Sequence, residues 1–119
     1  MNDATETENA IFSFGTLQQE AVQKALFGRS VPTSPDSLSG WRVGVIRIVD
    51  PEVIATSGTD LHPALLPGKE GDVVNGVVLS VTQRDLDAAD YYERVSYRRI
   101  EVRLTSGRNA WVYVPRDDA

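Results

Sequence analysis

Arg99-Ile100-Glu101-Val102-Arg103-Leu104 and Ala110-Trp111-Val112-Tyr113-Val114 decide the fold class of this chain. The first segment alternates polar and apolar residues without a break, the pattern of a strand with one wet face. The second carries Ala110, Val112 and Val114 on one face and Trp111 and Tyr113 on the other. Ser106-Gly107-Arg108 between them supplies a turn, so the pair reads as a hairpin. Residues Val73–Val81, with Val77, Leu79 and Val81 on one face, give another strand.

Upstream, Ile11, Phe12 and Phe14 form a short apolar strand ending at Gly15. Residues 17–27 follow with Leu17, Ala21 and Ala25, and again Val22 and Leu26, at helical spacing, and Gly28 stops the helix. Residues 29–40 hold two prolines and several serines and read as a loop. Residues 41–49 are rich in β-branched side chains and read as a strand. Asp50-Pro51 breaks it, Val53-Ile54-Ala55 suggests a further short strand, and residues 56–72 read mostly as a long loop, whose length predicts either a site-lining loop or partial order. The elements together predict an α+β fold with an antiparallel or mixed sheet able to curl toward a barrel. A doubly wound nucleotide fold needs more strand–helix units and a glycine-rich turn, and neither is present.

The chain has 119 residues, enough for one domain with a real core. Residues 1–9 are acidic and polar and are expected to be a flexible leader, with residues 10–119 forming the domain. No apolar run is long enough to cross a bilayer and the start is unlike a signal peptide, so no membrane role and a cytoplasmic location are expected. With no cysteine, the chain has no disulfide, thiol nucleophile or cysteine-ligated metal. Its one histidine, His62, cannot build a multi-histidine metal centre. His62 falls in a Pro/Gly-rich stretch, where a solvent-exposed or hydrogen-bonded role is expected. The net charge of −5 argues against a nucleic-acid surface, although Arg94, Arg98, Arg99, Arg103 and Arg108 form a local basic region.

Thr82 to Asp85 resembles a capping box and launches a helix that ends near Glu93. Leu86, Ala89 and Glu93 share one face of that helix, with Asp90 beside it. An apolar residue is expected at position 93. A carboxylate there is either buried, and then a candidate acid or base, or it is solvated or ion-paired beyond the helix end. Phe14-Gly15-Thr16-Leu17 joins the first strand to the first helix. Glycine lets backbone amides approach a ligand closely, and free N–H groups at a helix start can hold an anion. The same residues also serve as an ordinary turn and cap. Tyr91, Tyr92, Tyr97, Trp111 and Tyr113 are candidates for cavity walls.

These residues carry a resemblance to the gamma-glutamylcyclotransferase-like superfamily, in its AIG2-like branch. That family opens with Tyr-Gly-Ser/Thr-Leu, to which Phe14-Gly15-Thr16-Leu17 is similar. Its second signature, an Asp followed three residues later by Glu and then Tyr-x-Arg, resembles Asp90, Glu93, Tyr97 and Arg99. Its closing aromatic-rich strand resembles residues 110–114, so the likeness runs from about residue 11 to 115. The departure is Phe14, which lacks the hydroxyl of the family tyrosine.

The resemblance implies a small barrel-like, largely antiparallel sheet with short helices around a cavity for a γ-glutamyl group. It implies a cyclotransferase in which the substrate's α-amine attacks its own γ-carbonyl, closing 5-oxoproline and expelling an amine or amino acid. That is an internal acyl transfer, classed with transferases or lyases. Glu93 would be the catalytic acid/base, and Phe14, Gly15, Thr16, Leu17, Tyr97 and Tyr113 would contact substrate. Asp90 and Arg99 are expected to be structural, and neither metal nor cofactor is implied. The alternative is a non-catalytic small-molecule-binding or regulatory domain using the same cavity. Either a monomer or a homodimer is compatible, Trp41 and Trp111 being candidate contacts.

Overall fold

The hairpin of residues 97–103 and 109–115 forms as the alternation requires. It occupies the edge of a five-stranded sheet in a computed structural model that describes residues 9–116. The elements in chain order are β1 (Asn9–Ser13), a 3-10 turn (Thr16–Gln18), α1 (Glu20–Phe27), β2 (Thr33–Ser39) and β3 (Trp41–Arg47). They continue with α2 (Pro51–Ser57), β4 (Leu61–Pro67), β5 (Val73–Val81), α3 (Gln83–Glu93), β6 (Tyr97–Arg103) and β7 (Asn109–Pro115). The sheet order is β2-β5-β1-β7-β6, antiparallel except for β1 beside β7, while β3 and β4 form a separate two-stranded sheet.

The two faces of the large sheet feed two cores. Ile11, Leu79, Val81 and Tyr113 point to the helix side and pack with Val22, Leu86, Ala89 and Tyr92. Phe12, Val78, Val112 and Val114 point the other way and pack with Leu38, Leu65 and Leu104. The alternations read in β5 and β7 therefore specify the register, since a one-residue slip would exchange the faces.

The expected barrel is not formed. The sheet is open, with β2 and β6 at opposite edges and unpaired to one another. Both edges resist further pairing. β2 is short and polar and carries Pro35, which has no N–H to offer, and the exposed Arg98, Glu101 and Arg103 of β6 put charge at the other edge. The β3–β4 pair packs near β5 and β7 instead of completing a closed sheet.

Three local expectations change as well. Residues 53–55 lie in α2, a helix. Asp50 caps it by accepting from the Glu52 amide, Pro51 opens it, and Gly58 at φ 80° closes it. Part of the expected loop 29–40 is β2, paired along its length with β5. Part of the expected loop 56–72 is β4, paired with β3 from Trp41–Pro67 to Arg47–Leu61. The first helix also starts later than expected: the extended backbone of Gln19 separates the 3-10 turn from α1. Residues 1–8 of the expected leader lie outside the described residues, and Asn9 opens β1.

Gly76 of β5 shows how closely the strands approach beneath the first loop. A Cβ there would sit 2.4 Å from the Ser13 carbonyl oxygen and 2.9 Å from Phe12 Cζ. Relief would require moving the β1 backbone. Gly76→Ala is therefore expected to lower stability by about 1–3 kcal/mol, read as a reduced urea midpoint at unchanged slope. An unchanged midpoint would show that this approach is not tight.

Candidate active site

The chain leaves the sheet at Ser13, and the next four residues form one lip of a cleft. The Gly15 backbone lies close to the Pro63 ring, to which an added Cβ would approach within 3.5 Å. Gln18 and Gln19 donate their amides to the carbonyls of Gly15 and Thr16, closing the 3-10 turn. The amides of Thr16 and Leu17 begin that turn and find no acceptor among the described residues. Thr16 is fixed from its side chain, whose hydroxyl lies 3.0 Å from the Tyr92 hydroxyl of α3.

Glu93 forms the facing side. It is the last residue of α3, and it stands on the same buried face as Leu86 and Ala89. Its exposure is 9%, and its carboxyl makes no hydrogen bond or ion pair among the described residues. Burial pushes its pKa up to about 8. The local sequence explains the placement. The Thr82–Asp85 capping box fixes the first turn of α3, and Arg29 grips Asp85 with two hydrogen bonds of 3.1 and 2.7 Å. Burial alone would raise the Asp85 pKa, but Arg29 and the Thr82 amide outweigh it and hold the group ionised.

The cleft has about 30 Å³ of interior space open to water. It brings together every residue expected at the site: Phe14, Gly15, Thr16, Leu17, Glu93, Tyr97 and Tyr113. The Tyr97 hydroxyl donates to the Pro63 carbonyl at 3.0 Å, and the Tyr113 hydroxyl donates to Asp90 at 2.7 Å. Burial, aided by the nearby Glu93 charge, raises the Tyr97 pKa. Burial first, and then the bond to Asp90, raises that of Tyr113. Both phenols therefore stay protonated.

Asp90 is not in the cleft. It holds Arg99 by paired bonds of 2.9 and 3.1 Å, and Arg99 lies over the Trp111 ring at 4.1 Å. Phe14 lines the cleft and tilts against Phe12 at 6.3 Å between ring centres. Tyr91 is exposed beneath the Arg94 guanidinium, and Tyr92 acts through Thr16.

Sequence reasoning did not single out Phe12, Ser13, His62 or Pro63, which also line the cleft, although it allowed the stretch holding His62 and Pro63 a site-lining role. His62 and Pro63 lie on β4, in the stretch read as loop, so no periodicity pointed to them. Among the described residues no group of three or more His, Asp or Glu is arranged to hold a metal, and no helix is long and apolar enough to cross a membrane.

Residues 11–119 match the family model described as gamma-glutamyl cyclotransferase, AIG2-like. The chain belongs to that family. AIG2-like protein D of Arabidopsis thaliana is 25% identical over 122 residues, spanning 96% of this chain and 73% of the relative. A solution structure of another Arabidopsis thaliana protein superposes with a TM-score of 0.68 at 22% identity, covering 93% of this chain and 70% of that one. A structure named gamma-glutamyl cyclotransferase gives a TM-score of 0.69 at 17% identity, covering 91% of this chain and 66% of the other. At these identities the structural likeness is one of fold. Family membership covers the elements that build the cleft, from β1 through β7.

The Glu93 carboxyl makes a stability prediction with a definite sign. In the unfolded chain it ionises near its ordinary 4.5, whereas in the fold it holds its proton to about 8. The folded state binds the extra proton between those values, so stability falls as pH rises through that window. Glu93→Gln carries no such penalty. It is expected to match wild type near pH 4.5 and to exceed it by an amount on the order of a few kcal/mol at pH 8. Urea midpoints of both proteins across this range check it, and parallel curves would contradict the burial of an ionisable carboxyl.

Proposed function

We propose that this family member is a cyclotransferase that releases 5-oxoproline from a γ-glutamyl amine or γ-glutamyl amino acid. The observation that carries the reading is a buried, unpartnered carboxyl sharing one cleft with two unpaired backbone amides. In this reading the Thr16 and Leu17 amides receive the substrate's anionic or carbonyl oxygen. Glu93 in its ionised form removes a proton from the α-ammonium, since an ammonium has no lone pair with which to attack. The amine then adds to the γ-carbonyl, and Glu93 returns its proton to the departing nitrogen as the C–N bond breaks. The ring nitrogen gives its second hydrogen as a proton to the released amine, leaving the neutral 5-oxoproline lactam. Substrate amine and carbonyl are parts of one molecule, so holding the chain folded converts binding into reactive proximity.

A carboxyl with a pKa of about 8 suits both halves of this relay. It is basic enough to accept from an ammonium, and acidic enough once protonated to donate to a leaving amine. Tyr97 and Tyr113, held protonated, close the walls beside it without competing for the proton. Phe14 offers the substrate an aromatic face and no hydroxyl, so whatever a tyrosine at this position would hydrogen-bond is met here by carbon.

Purified protein incubated with a panel of γ-glutamyl amines and dipeptides is expected to release 5-oxoproline, detected by mass spectrometry. Glu93→Gln is expected to reduce turnover by about 10²- to 10⁴-fold while remaining folded. The wild-type kcat/KM is expected to rise with pH through about 8, where Glu93 loses its proton. Ligand binding with no product at any pH would instead identify a non-catalytic binding domain.

A further inference from the structure

His62 is the one histidine of the chain, and it is 2% exposed. It sits on β4 opposite Ile46 and lines the same cleft as Glu93. Three contacts hold this part of β4 in place. The Tyr97 hydroxyl binds the Pro63 carbonyl, Gly15 lies against the Pro63 ring, and His62 Nε2 lies 2.9 Å from Ser57 Oγ and 3.2 Å from the Thr59 carbonyl.

Taken as hydrogen bonds, these contacts call for the imidazole hydrogen on Nε2. A carbonyl only accepts, so the Thr59 contact requires a hydrogen on Nε2. The Ser57 hydroxyl donates its own hydrogen to the Thr59 carbonyl at 3.0 Å, so Ser57 Oγ is likewise an acceptor toward the ring. Burial, outweighing the Thr59 bond and the charge of Asp60, lowers the pKa of His62 and keeps the ring neutral. The neutral ring with its hydrogen on Nε2 has a bare lone pair on Nδ1. No hydrogen bond to Nδ1 is present among the described residues.

We propose that His62 is a substrate-positioning residue whose Nδ1 accepts a hydrogen bond from a nitrogen-bound hydrogen of the substrate. This rests on the cyclotransferase reading and deepens it. A γ-glutamyl compound presents two kinds of N–H donor, its ammonium and its scissile amide. The unpaired amides of the first loop are donors themselves and cannot serve either one. Glu93 receives one proton, and the remaining N–H groups enter a cleft with a mostly apolar lining, where an unpaired donor is costly. His62 lines that cleft, and in this proposal its Nδ1 is the neutral acceptor, one that does not compete with Glu93 for the proton.

Two substitutions separate the ring nitrogens. Gln places its amide three bonds beyond Cβ, near Nε2, and keeps a donor for Ser57 and Thr59. Asn places its amide near Nδ1 and restores an acceptor there. His62→Gln is expected to raise KM by about 10- to 100-fold, the factor matching loss of one hydrogen bond to a charged donor, with kcat changed less. His62→Asn is expected to recover most of that loss while lowering the urea midpoint, because it gives up the Ser57 and Thr59 bonds. A purely structural histidine would give the reverse order.

A direct reading needs no His62 variant. In the untagged Glu93→Gln protein, labelled with ¹⁵N, the imidazole signals belong to His62 alone. They are expected to show hydrogen on Nε2 and a bare Nδ1 whose resonance shifts on saturation with a γ-glutamyl compound that the wild type consumes. Hydrogen on Nδ1, or imidazole signals that stay still while the Thr16 and Leu17 amides shift, would overturn the proposal and leave the cyclotransferase reading standing. Absence of wild-type turnover together with unmoved Thr16 and Leu17 amides would remove that reading and this inference with it.

Discussion

A carboxyl held out of water, with nothing among the described residues to pair with, is the constraint around which this structure is arranged. An ionised group in such a place is costly, and the usual remedies are an arginine, a hydrogen-bond donor or solvent. Arginines are close by in sequence at 94, 98 and 99, yet none neutralises Glu93. Arg94 turns to Tyr91, Asp50 and Glu52, and Arg99 turns to Asp90. The cations next to the cleft are thus occupied elsewhere, and the Glu93 carboxyl responds by holding its proton.

Keeping that carboxyl in place demands rigidity at both ends of α3. Its first turn is tied by the capping box and by Arg29, which bridges from the end of α1. Its last turns are tied by Asp90 to β6 and β7, and by Tyr92 to the first loop. The Thr16–Tyr92 contact couples the two halves of the cleft, since the residue preceding Glu93 holds the residue that starts the 3-10 turn. The open sheet contributes as well. Closure into a barrel would have enclosed the space beyond the end of β1, whereas here the separate β3–β4 pair stands against it and supplies His62 and Pro63 as a wall.

What could be read in the sequence follows from which signals are local. β5, β6 and β7 announced themselves by period-two alternation: β6 has one wet face, while the two faces of β5 and β7 turn to different cores. The buried face of α3, its capping box and the glycine that ends α1 were legible for the same reason, since each is a short-range pattern. β2 was invisible because an edge strand of serines, aspartate and proline reads as a loop, and its pairing is dictated by β5. β4 was hidden by its two prolines and by apolar residues on both faces, with Ala64 and Leu65 both buried. The α2 error was avoidable: Asp50-Pro51 followed by Gly58 is a cap, a first-turn proline and a stop. The failure at β4 extended to the site. A histidine assigned to a loop could not be placed in the same cleft as a glutamate 31 positions away, although the packing of β4 near β7 carries it there.

The electrostatics of the cleft leave one group free to change charge near neutral pH. The donors of the first loop are backbone amides, which do not titrate. Tyr97 and Tyr113 are pushed upward by burial and remain neutral phenols, while His62 is pushed downward and remains a neutral imidazole. Glu93 is displaced in the direction that brings it into range, to about 8. Burial therefore acts on all four titratable residues lining the cleft by one mechanism, penalising the charged form of each. Its effect differs because their ordinary values differ: it moves His62 below the neutral range, pushes the two tyrosines further above it, and brings the carboxylic acid into it. A site built this way needs no charged partner to tune its base. The same dry wall that costs stability gives Glu93 its proton affinity, and adding an arginine to relieve the cost would remove the property along with it.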